Sequence, residues 1–475
     1  MSKINGMMDT GKRSMMNSQT ALQTVGHNIA NKSTEGFSRQ RVELQTAEPI
    51  GNGKTRIGMG SKTAAVVRVN NPYLEKQIGK EQSVLGFEQG KMDALGRVEQ
   101  VYNEQMNKGL NSYVSEFFNS MREFSNNPES LATRTQVKET ANFLTKDFKR
   151  VNTQLGEISK DIDQQLVTHM HEINEMTREI ATLNEKVQIV ENQGGPANDE
   201  RDRRDLLIKH LGEKINIRWA EGKDGTVTIT AGNSALLVSG YDAKALDAVP
   251  TGGNEAKKDG SFDIVYRSSP QSEPYVVTSQ MTGGAVGGLL EVRDKTIHGL
   301  YQNLDEMAYT LAKSVNDAHA QGFDSYSLQA GEFFELPDSV EGASGNLKVS
   351  QDILDDPAKI AAGMTPGAPG DNRIANKIAQ LQNEGVVGEN GSTIDEFYNS
   401  MVGKVGIESR RSQQVEAAQK DVVKQLQNIR ESISGVSLDE ETTKLIEFQK
   451  SFDASARLIK TADEMFDTVL NLKKL

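Results

Sequence analysis

Three stretches of this sequence carry residue types able to do chemistry. The first is His169-Met170-His171-Glu172. A zinc peptidase needs histidines four apart on one helix face, with a glutamate directly after the first. The residue four after His171 is Glu175, and His169 and His171 point to different helix faces at a spacing of two. The second ligand is missing, and the six histidines of the chain are scattered, so they are expected to be solvated or to sit at core edges. The second stretch is Gly283-Gly284-Ala285-Val286-Gly287-Gly288, which precedes a helical pattern as a phosphate loop would. It lacks the Gly-Lys-Ser/Thr ending, and Lys295 arrives too late to reach a phosphate, so it reads as a flexible entry that lets a helix pack closely. The third is Asp199, Asp202 and Asp205 set among Arg201, Arg203 and Arg204. Carboxylates this dense can hold calcium, but the interleaved arginines oppose it. A solvated ion-pair network is expected, each surface pair worth about 0–1 kcal/mol. No stretch nominates a catalytic, cofactor-binding or metal site.

The elements around these residues are more informative. Apolar residues recur every seven at both ends of the chain. Near the start they are Met1, Met8, Met15, Leu22 and Ile29, with Ile4 and Val25 beside them; near the finish they are Leu438, Leu445, Phe452, Ile459 and Phe466, with Phe448, Ala462 and Val469. A strict heptad keeps one narrow stripe facing a partner helix. A lone helix with such a stripe is unstable in water, so the ends are expected to find each other or the ends of neighbouring copies. In an isolated chain without neighbours they are expected to be largely mobile.

Between the ends the pattern predicts a mainly α fold with an inserted β-rich domain. A first helix covers residues 2–31 and stops before Gly36, followed by β-like pieces at Arg41–Leu44 and Ala65–Val69. Pro72 opens a long helical region, and Asn127-Pro128 reads as a helix restart with Asn127 as N-cap. Residues 154–192 are the most periodic interior piece; alternation and glycines from about 215 predict strands, and helix returns at about 287–320. A last helical stretch from about 372 is broken around 385–392 and at Gly435, and Ser437 with Glu440 fits a capping box. The expected division is 1–70 with 436–475 as a terminal assembly region, made of a coiled coil plus a β-like extension. Residues 71–214 with 285–435 form an elongated helical bundle, loop-rich over 321–372 on its outer side, and 215–284 the β-rich outer domain.

Composition sets limits. With 54 basic and 66 acidic residues the net charge is −12, a poor match for nucleic acid or an anionic membrane surface. One Trp and 5% aromatics suit long exposed helices better than one large enzyme core. No apolar run approaches the ~20 residues of a membrane span, and no apolar segment with a cleavage site suggests a signal peptide. Cysteine is absent, which fits a reducing compartment or chance, and equally a chain threaded unfolded through a narrow exporter, where a stray disulfide would jam transit.

The run Ala21-Leu22-Gln23-Thr24-Val25-Gly26-His27-Asn28-Ile29-Ala30-Asn31, followed by Gly36-Phe37-Ser38-Arg39-Gln40, resembles the N-terminal signature of bacterial flagellar rod, hook and hook-associated proteins. The match is specific at Leu22, Asn28-Ile29-Ala30-Asn31 and Gly36. It departs at Ser33-Thr34-Glu35-Gly36-Phe37, which lacks the family's proline but keeps the glycine that permits the turn. Asn198–Asp205, Gly287–Asp294 and Ser434–Glu441, continuing through Phe448–Arg457 and Thr461–Asp467, narrow the resemblance to the hook-associated members at the hook–filament junction. Rod and hook proteins share only the termini.

The resemblance implies a structural protein of the bacterial flagellum, made in the cytoplasm, exported unfolded by the flagellar type III apparatus and placed outside the cell as a ring between hook and filament. Implied partners are further copies of the chain, the hook protein, a second junction protein or the filament, and a cytosolic export chaperone, with no nucleic acid, membrane or cofactor. The expected assembly residues are Leu22, Val25, Asn28, Ile29, Asn31, Gly36, Leu438, Leu445, Phe448, Phe452, Ile459 and Phe466, with Leu445, Phe452, Ile459 and Phe466 also the expected chaperone target. A hook or distal-rod subunit is the alternative within the family, opposed by the interior motifs. A secreted hydrolase on flagellar-type termini is the alternative of another class, and it would need catalytic residues within 215–370, where no suitable arrangement occurs.

Overall fold

The computed structural model describes residues 2–49, 57–102, 108–251, 261–269, 271–388 and 391–472, so Met1, Lys473 and Lys474 lie outside it. Helix α1 (Ser2–Ala30) leads into an antiparallel hairpin of β1 (Gln40–Thr46) and β2 (Ser61–Arg68). Asn71 caps α2 (Pro72–Val101) through its side chain, with proline at the first turn where a missing N–H costs nothing. Helix α3 (Leu110–Asn126) then turns into α4 (Leu131–Asn192), whose 62 residues span roughly 93 Å at the usual helical rise. The cap of α4 is Ser130, whose side chain accepts from Thr133 N–H. Asn127 instead closes α3, because Pro128 and Glu129 form the turn between the two helices.

Helix α5 (Asn198–Lys214) precedes two small antiparallel sheets. One is β3 (Ile217–Glu221), β4 (Val227–Ala231), β5 (Ala235–Ser239) and β6 (Asp242–Ala243) in sequence order. The other is β7 (Leu246–Pro250), β8 (Phe262–Tyr266) and β9 (Tyr275–Val276). Helix α6 (Gly284–Glu291) runs through a π-helical turn (Val292–Ile297) into α7 (His298–His319). The turn buries Arg293, which pairs with Asp163 and Asp294 and donates to Phe262 O. Short elements follow: β10 (Phe334–Glu335), α8 (Ala343–Asn346), β11 (Lys348–Val349), α9 (Gln351–Asp355) and α10 (Arg373–Gln380). Helix α11 (Ile394–Ser434) starts in a Thr393–Glu396 capping box that the sequence reading missed, and α12 (Leu438–Leu472) ends the described chain.

The fold is mainly α with small β sheets. Its apolar core runs from Ala94 to Val405 around α3, α4, α7 and the sheets, with Phe117, Phe118, Phe333 and Phe334 packed edge to face. The glycine run is a contact surface: a Cβ on Gly288 would lie 2.1 Å from Phe87 O, and one on Gly90 2.6 Å from Ala285 O. Backbone of α2 and α6 therefore meets directly, which leaves no cradle for a phosphate.

A recurring device joins helix to strand. A strand edge leaves N–H and C=O groups unpaired, and a primary amide offers one donor side and one acceptor side. Asn174 of α4 bonds Leu246 N–H and C=O, Asn184 does the same to Val227, and Asn316 of α7 to Phe334. On α1, Asn28 holds both groups of Gln40, while Asn17 holds Thr63 N–H and Ser61 O.

Candidate functional site: the paired chain ends and the neck beneath them

Helices α1 and α12 pack antiparallel. Asn28 Nδ2 donates to Glu441 Oε2 at 2.9 Å, Ser18 meets Ser451 at 3.2 Å, and Ser455 meets Ser14 at 2.7 Å. A Cβ on Gly11 would lie 2.7 Å from Ile459 Cγ1. The rows of α1 facing α12 are therefore Gly11–Ser18–Val25 and Ser14–Ala21–Asn28. These residues are small, which draws the helix axes together and lets the larger α12 side chains lie over α1.

Val25 is 3% exposed in this seam, and Asn28 is 1% exposed. The heptad row Met8–Met15–Leu22–Ile29 runs alongside it and stays half-buried, with Met16 exposed next to it. On α12, Leu445, Phe448, Phe452, Ile459 and Phe466 are half-buried, Glu441, Ser455 and Ala462 are buried, and Leu438 is exposed. The antiparallel register puts Ile459 opposite Gly11 rather than opposite Leu22 or Ile29. In this structure the two ends are each other's partner.

Asn31 closes the C-terminus of α1: its amide donates to His27 O, and its oxygen accepts from Thr34 Oγ1. Gly36 has φ +79°, a left-handed turn that glycine adopts without a Cβ penalty, and it packs on Leu206 of α5. Its carbonyl accepts from Arg430 Nη2 at 3.0 Å, and Phe37 O accepts from the same nitrogen at 3.3 Å.

Arg430 belongs to a charged neck below the paired ends. It also binds Glu75, which takes Lys209 on its other oxygen. Burial pushes the Glu75 carboxyl up, but Lys209 and Arg430 outweigh it and hold it below the usual range. Arg68 of β2 pairs with Asp202 at 2.9 Å and Asp205 at 2.7 Å, while Ser38 N–H donates to Asp202 at 2.8 Å. Burial pushes the Asp202 carboxyl upward by more than Arg68 and the Ser38 N–H pull it down. Asp199 takes His27 and Gln40, and Arg39 reaches Glu440 at 2.7 Å, so Glu440 is engaged with Arg39.

The run expected to be a solvated network is so only in part: Asp199 and Arg203 are exposed and Arg201 and Asp205 half-buried, but Asp202 and Arg204 are interior. Arg204 is fully buried, bonded to Asn184 Oδ1, Gly225 O and Glu221, and Asp202 is 6% exposed. The helical spacing explains the correction: Asp202 and Asp205, three apart, face Arg68. Arg39 and Glu441 lie in motifs read from the sequence, but the pairings of Arg39, Arg68, Glu75, Lys209, Arg430 and Glu441 do not show there, since the partners lie tens to hundreds of residues away.

The histidines sit at edges except one. His169 lies between Glu172 and Lys214, and His210 lies 3.7 Å from Glu35, beside a shallow cleft of about 490 Å³ that His171 also lines. Among the described residues no group of three or more His, Cys, Asp or Glu is placed to hold a metal, and no helix is long and apolar enough to cross a membrane. His319 is buried, bonded to Gly331 O and accepting from Ala361 N–H.

Paired chain ends strapped by charges to a long helical body define a structural assembly protein. The family model for the flagellar hook-associated protein FlgK helical domain matches residues 95–334, and the model for the C-terminal region of flagellar basal body rod FlgEFG proteins matches 430–472, the end of α11 with α12. The chain belongs to the FlgK family of flagellar hook-associated proteins, a structural family of the flagellum rather than a family of enzymes. It is 28% identical to flagellar hook-associated protein 1 of Bacillus subtilis, over 98% of this chain and 97% of that protein. It is 23% identical to the protein of the same name in Salmonella typhimurium, over 96% and 97%. The solved structure of the flagellar hook junction protein FlgK from Burkholderia pseudomallei shares the fold, with a TM-score of 0.67 at 15% identity, over 75% of this chain and all of that one.

Proposed function

We propose that this chain forms, with further copies of itself, a ring joining hook to filament outside the cell, after unfolded export through the flagellar type III apparatus. The observation that carries the reading is the half-buried row Met8–Met15–Leu22–Ile29 on α1, which lies outside the rows that face α12. The seam between the two helices uses other rows, so this apolar surface is left for a neighbour. Burying a Leu-sized side chain contributes roughly 1.5–3 kcal/mol, so a ring of such contacts holds without covalent bonds. On this reading 1–70 with 436–475 is the assembly region, 71–214 with 285–435 the helical bundle and 215–284 the outer part. Asn28, Asn31 and Gly36 hold the assembly region in shape, and Leu445, Phe448, Phe452, Ile459 and Phe466 close its seam. The same α12 stripe is the segment a cytosolic chaperone would hold before export, and the hook protein and a second junction protein or the filament are the neighbours above and below.

Two variants test this in cells lacking the natural gene. Leu22→Asp is expected to leave the isolated chain folded and to block incorporation, with no filament grown. Phe452→Asp is expected to block incorporation by opening the seam itself. Normal filaments on hooks carrying Leu22→Asp would overturn the assignment of that row.

A further inference from the structure

Helix α11 is turned inside out along its lower half. Its first turns join the apolar core through Ile394, Tyr398, Met401 and Val405, and the core takes nothing from α11 beyond Val405. From there to Ser434 its main partner is α2, and the joint is polar. Ser409 donates to Glu99, Ser412 to Glu88, Gln419 to Glu81 and Arg430 to Glu75, with Val423 the only buried apolar residue of the stretch.

The larger apolar residues of the same stretch face solvent. Val415, Val422 and Ile429 recur every seven, with Ile433 one turn on, and they are 37%, 42%, 42% and 39% exposed. The opposite flank at the same spacing, Gln413, Lys420 and Gln427, is polar. With Glu75, Glu81 and Glu88 turned to α11, helical spacing puts Tyr73 and Val84 of α2 on the stripe's side, and both are exposed. A helix that needs no neighbour beyond its own chain points its apolar rows at its own body. Here two adjacent helices present them outward as one face, as a contact surface does.

We propose that this α2–α11 face seats a helix of a second copy of the chain, so that neighbouring helical bodies are joined as well as chain ends, an inference that rests on the ring reading above. Three observations choose the occupant. Seven-residue spacing fits a helix lying along α11. Lys80, Lys404 and Arg411 rim the face, are exposed and have no carboxylate partner among the described residues. Such a rim suits an acidic neighbour, and a copy of this chain carries a net charge of −12. The face ends at the neck, where Arg430 holds the Gly36 and Phe37 carbonyls, so it is continuous with the assembly region.

The test uses cells lacking the natural gene. A photo-reactive benzoylphenylalanine replaces Val422 in one strain and Leu22 in another, and hook–filament preparations are irradiated and read by electrophoresis and peptide mapping. The probe in place of Val422 is expected to link two copies of this chain. Val422→Asp with Ile429→Asp is expected to leave the isolated chain folded by circular dichroism and to cut filament number about tenfold or more. If that variant loses helix, Val422→Ser carries the comparison. Copies linked through the Leu22 position but not through the Val422 position would overturn the face and leave the ring reading standing. So would a link from the Val422 position to a different flagellar protein, or an unchanged filament number in the folded variant. No link between copies from either position would overturn both.

Discussion

His319 accepts from Ala361 N–H at Nε2 while its Nδ1–H donates to Gly331 O, so the buried ring is fixed as one neutral tautomer. Burial lowers its pKa to about 4, against the opposing pull of the Gly331 carbonyl. The unfolded chain therefore binds a proton that the folded chain refuses between about pH 6.5 and 4, and stability falls as pH falls through that window. The loss amounts to roughly 3 kcal/mol at one pKa unit per 1.36 kcal/mol. His319→Gln should flatten the pH dependence of the urea midpoint between pH 6.5 and 4, and an unchanged slope would contradict the assignment. Nothing in the sequence separates His319 from the other histidines, because its partners are backbone groups 12 and 42 residues away. Asn28, by contrast, lies in a recognisable motif, and the motif is explained by its three bonds to Gln40 and Glu441.

Elements in this chain are joined by two means that apolar periodicity does not reveal. One is the asparagine clamp on a strand edge. Asn316, 7% exposed, holds Phe333 N–H, Phe334 N–H and Phe334 O. Asn316→Leu keeps the branched shape of the side chain and orphans those groups, each costing about 1–3 kcal/mol, so chemical denaturation should show a loss of several kcal/mol. A loss under about 1 kcal/mol would mean the β10 edge finds other partners. The other means is the small-residue seam. Heptads in the sequence mark Met8, Met15, Leu22 and Ile29, yet the rows facing α12 hold Gly11, Ser14, Ser18 and Ala21. Large apolar residues advertise a face, whereas close packing by Gly, Ser and Ala is silent until the partner is known. The long helices, the β-like pieces before Pro72 and the β-rich segment from about 215 were readable because each shows its own period and stop signals.

For the whole molecule, the sequence motifs identify a family, and the structure explains why the two ends must be kept together. Residues 430–472 carry the rod-type C-terminal match, and this segment includes Arg430 at the neck and the entire described α12. The central claim is that both ends of one chain form a single antiparallel seam. Ser14 and Ser455 hydroxyls lie 2.7 Å apart across it, and the chain has no cysteine of its own. The decisive measurement is disulfide formation in Ser14→Cys, Ser455→Cys, in dilute isolated protein, followed by non-reducing electrophoresis and peptide mapping. The account predicts a rapid bond within the monomer, with no such bond in a Leu22→Cys, Ser455→Cys control. Failure to form it, or a bond that joins two chains, would contradict the seam and move the pairing of the ends to the contacts between copies.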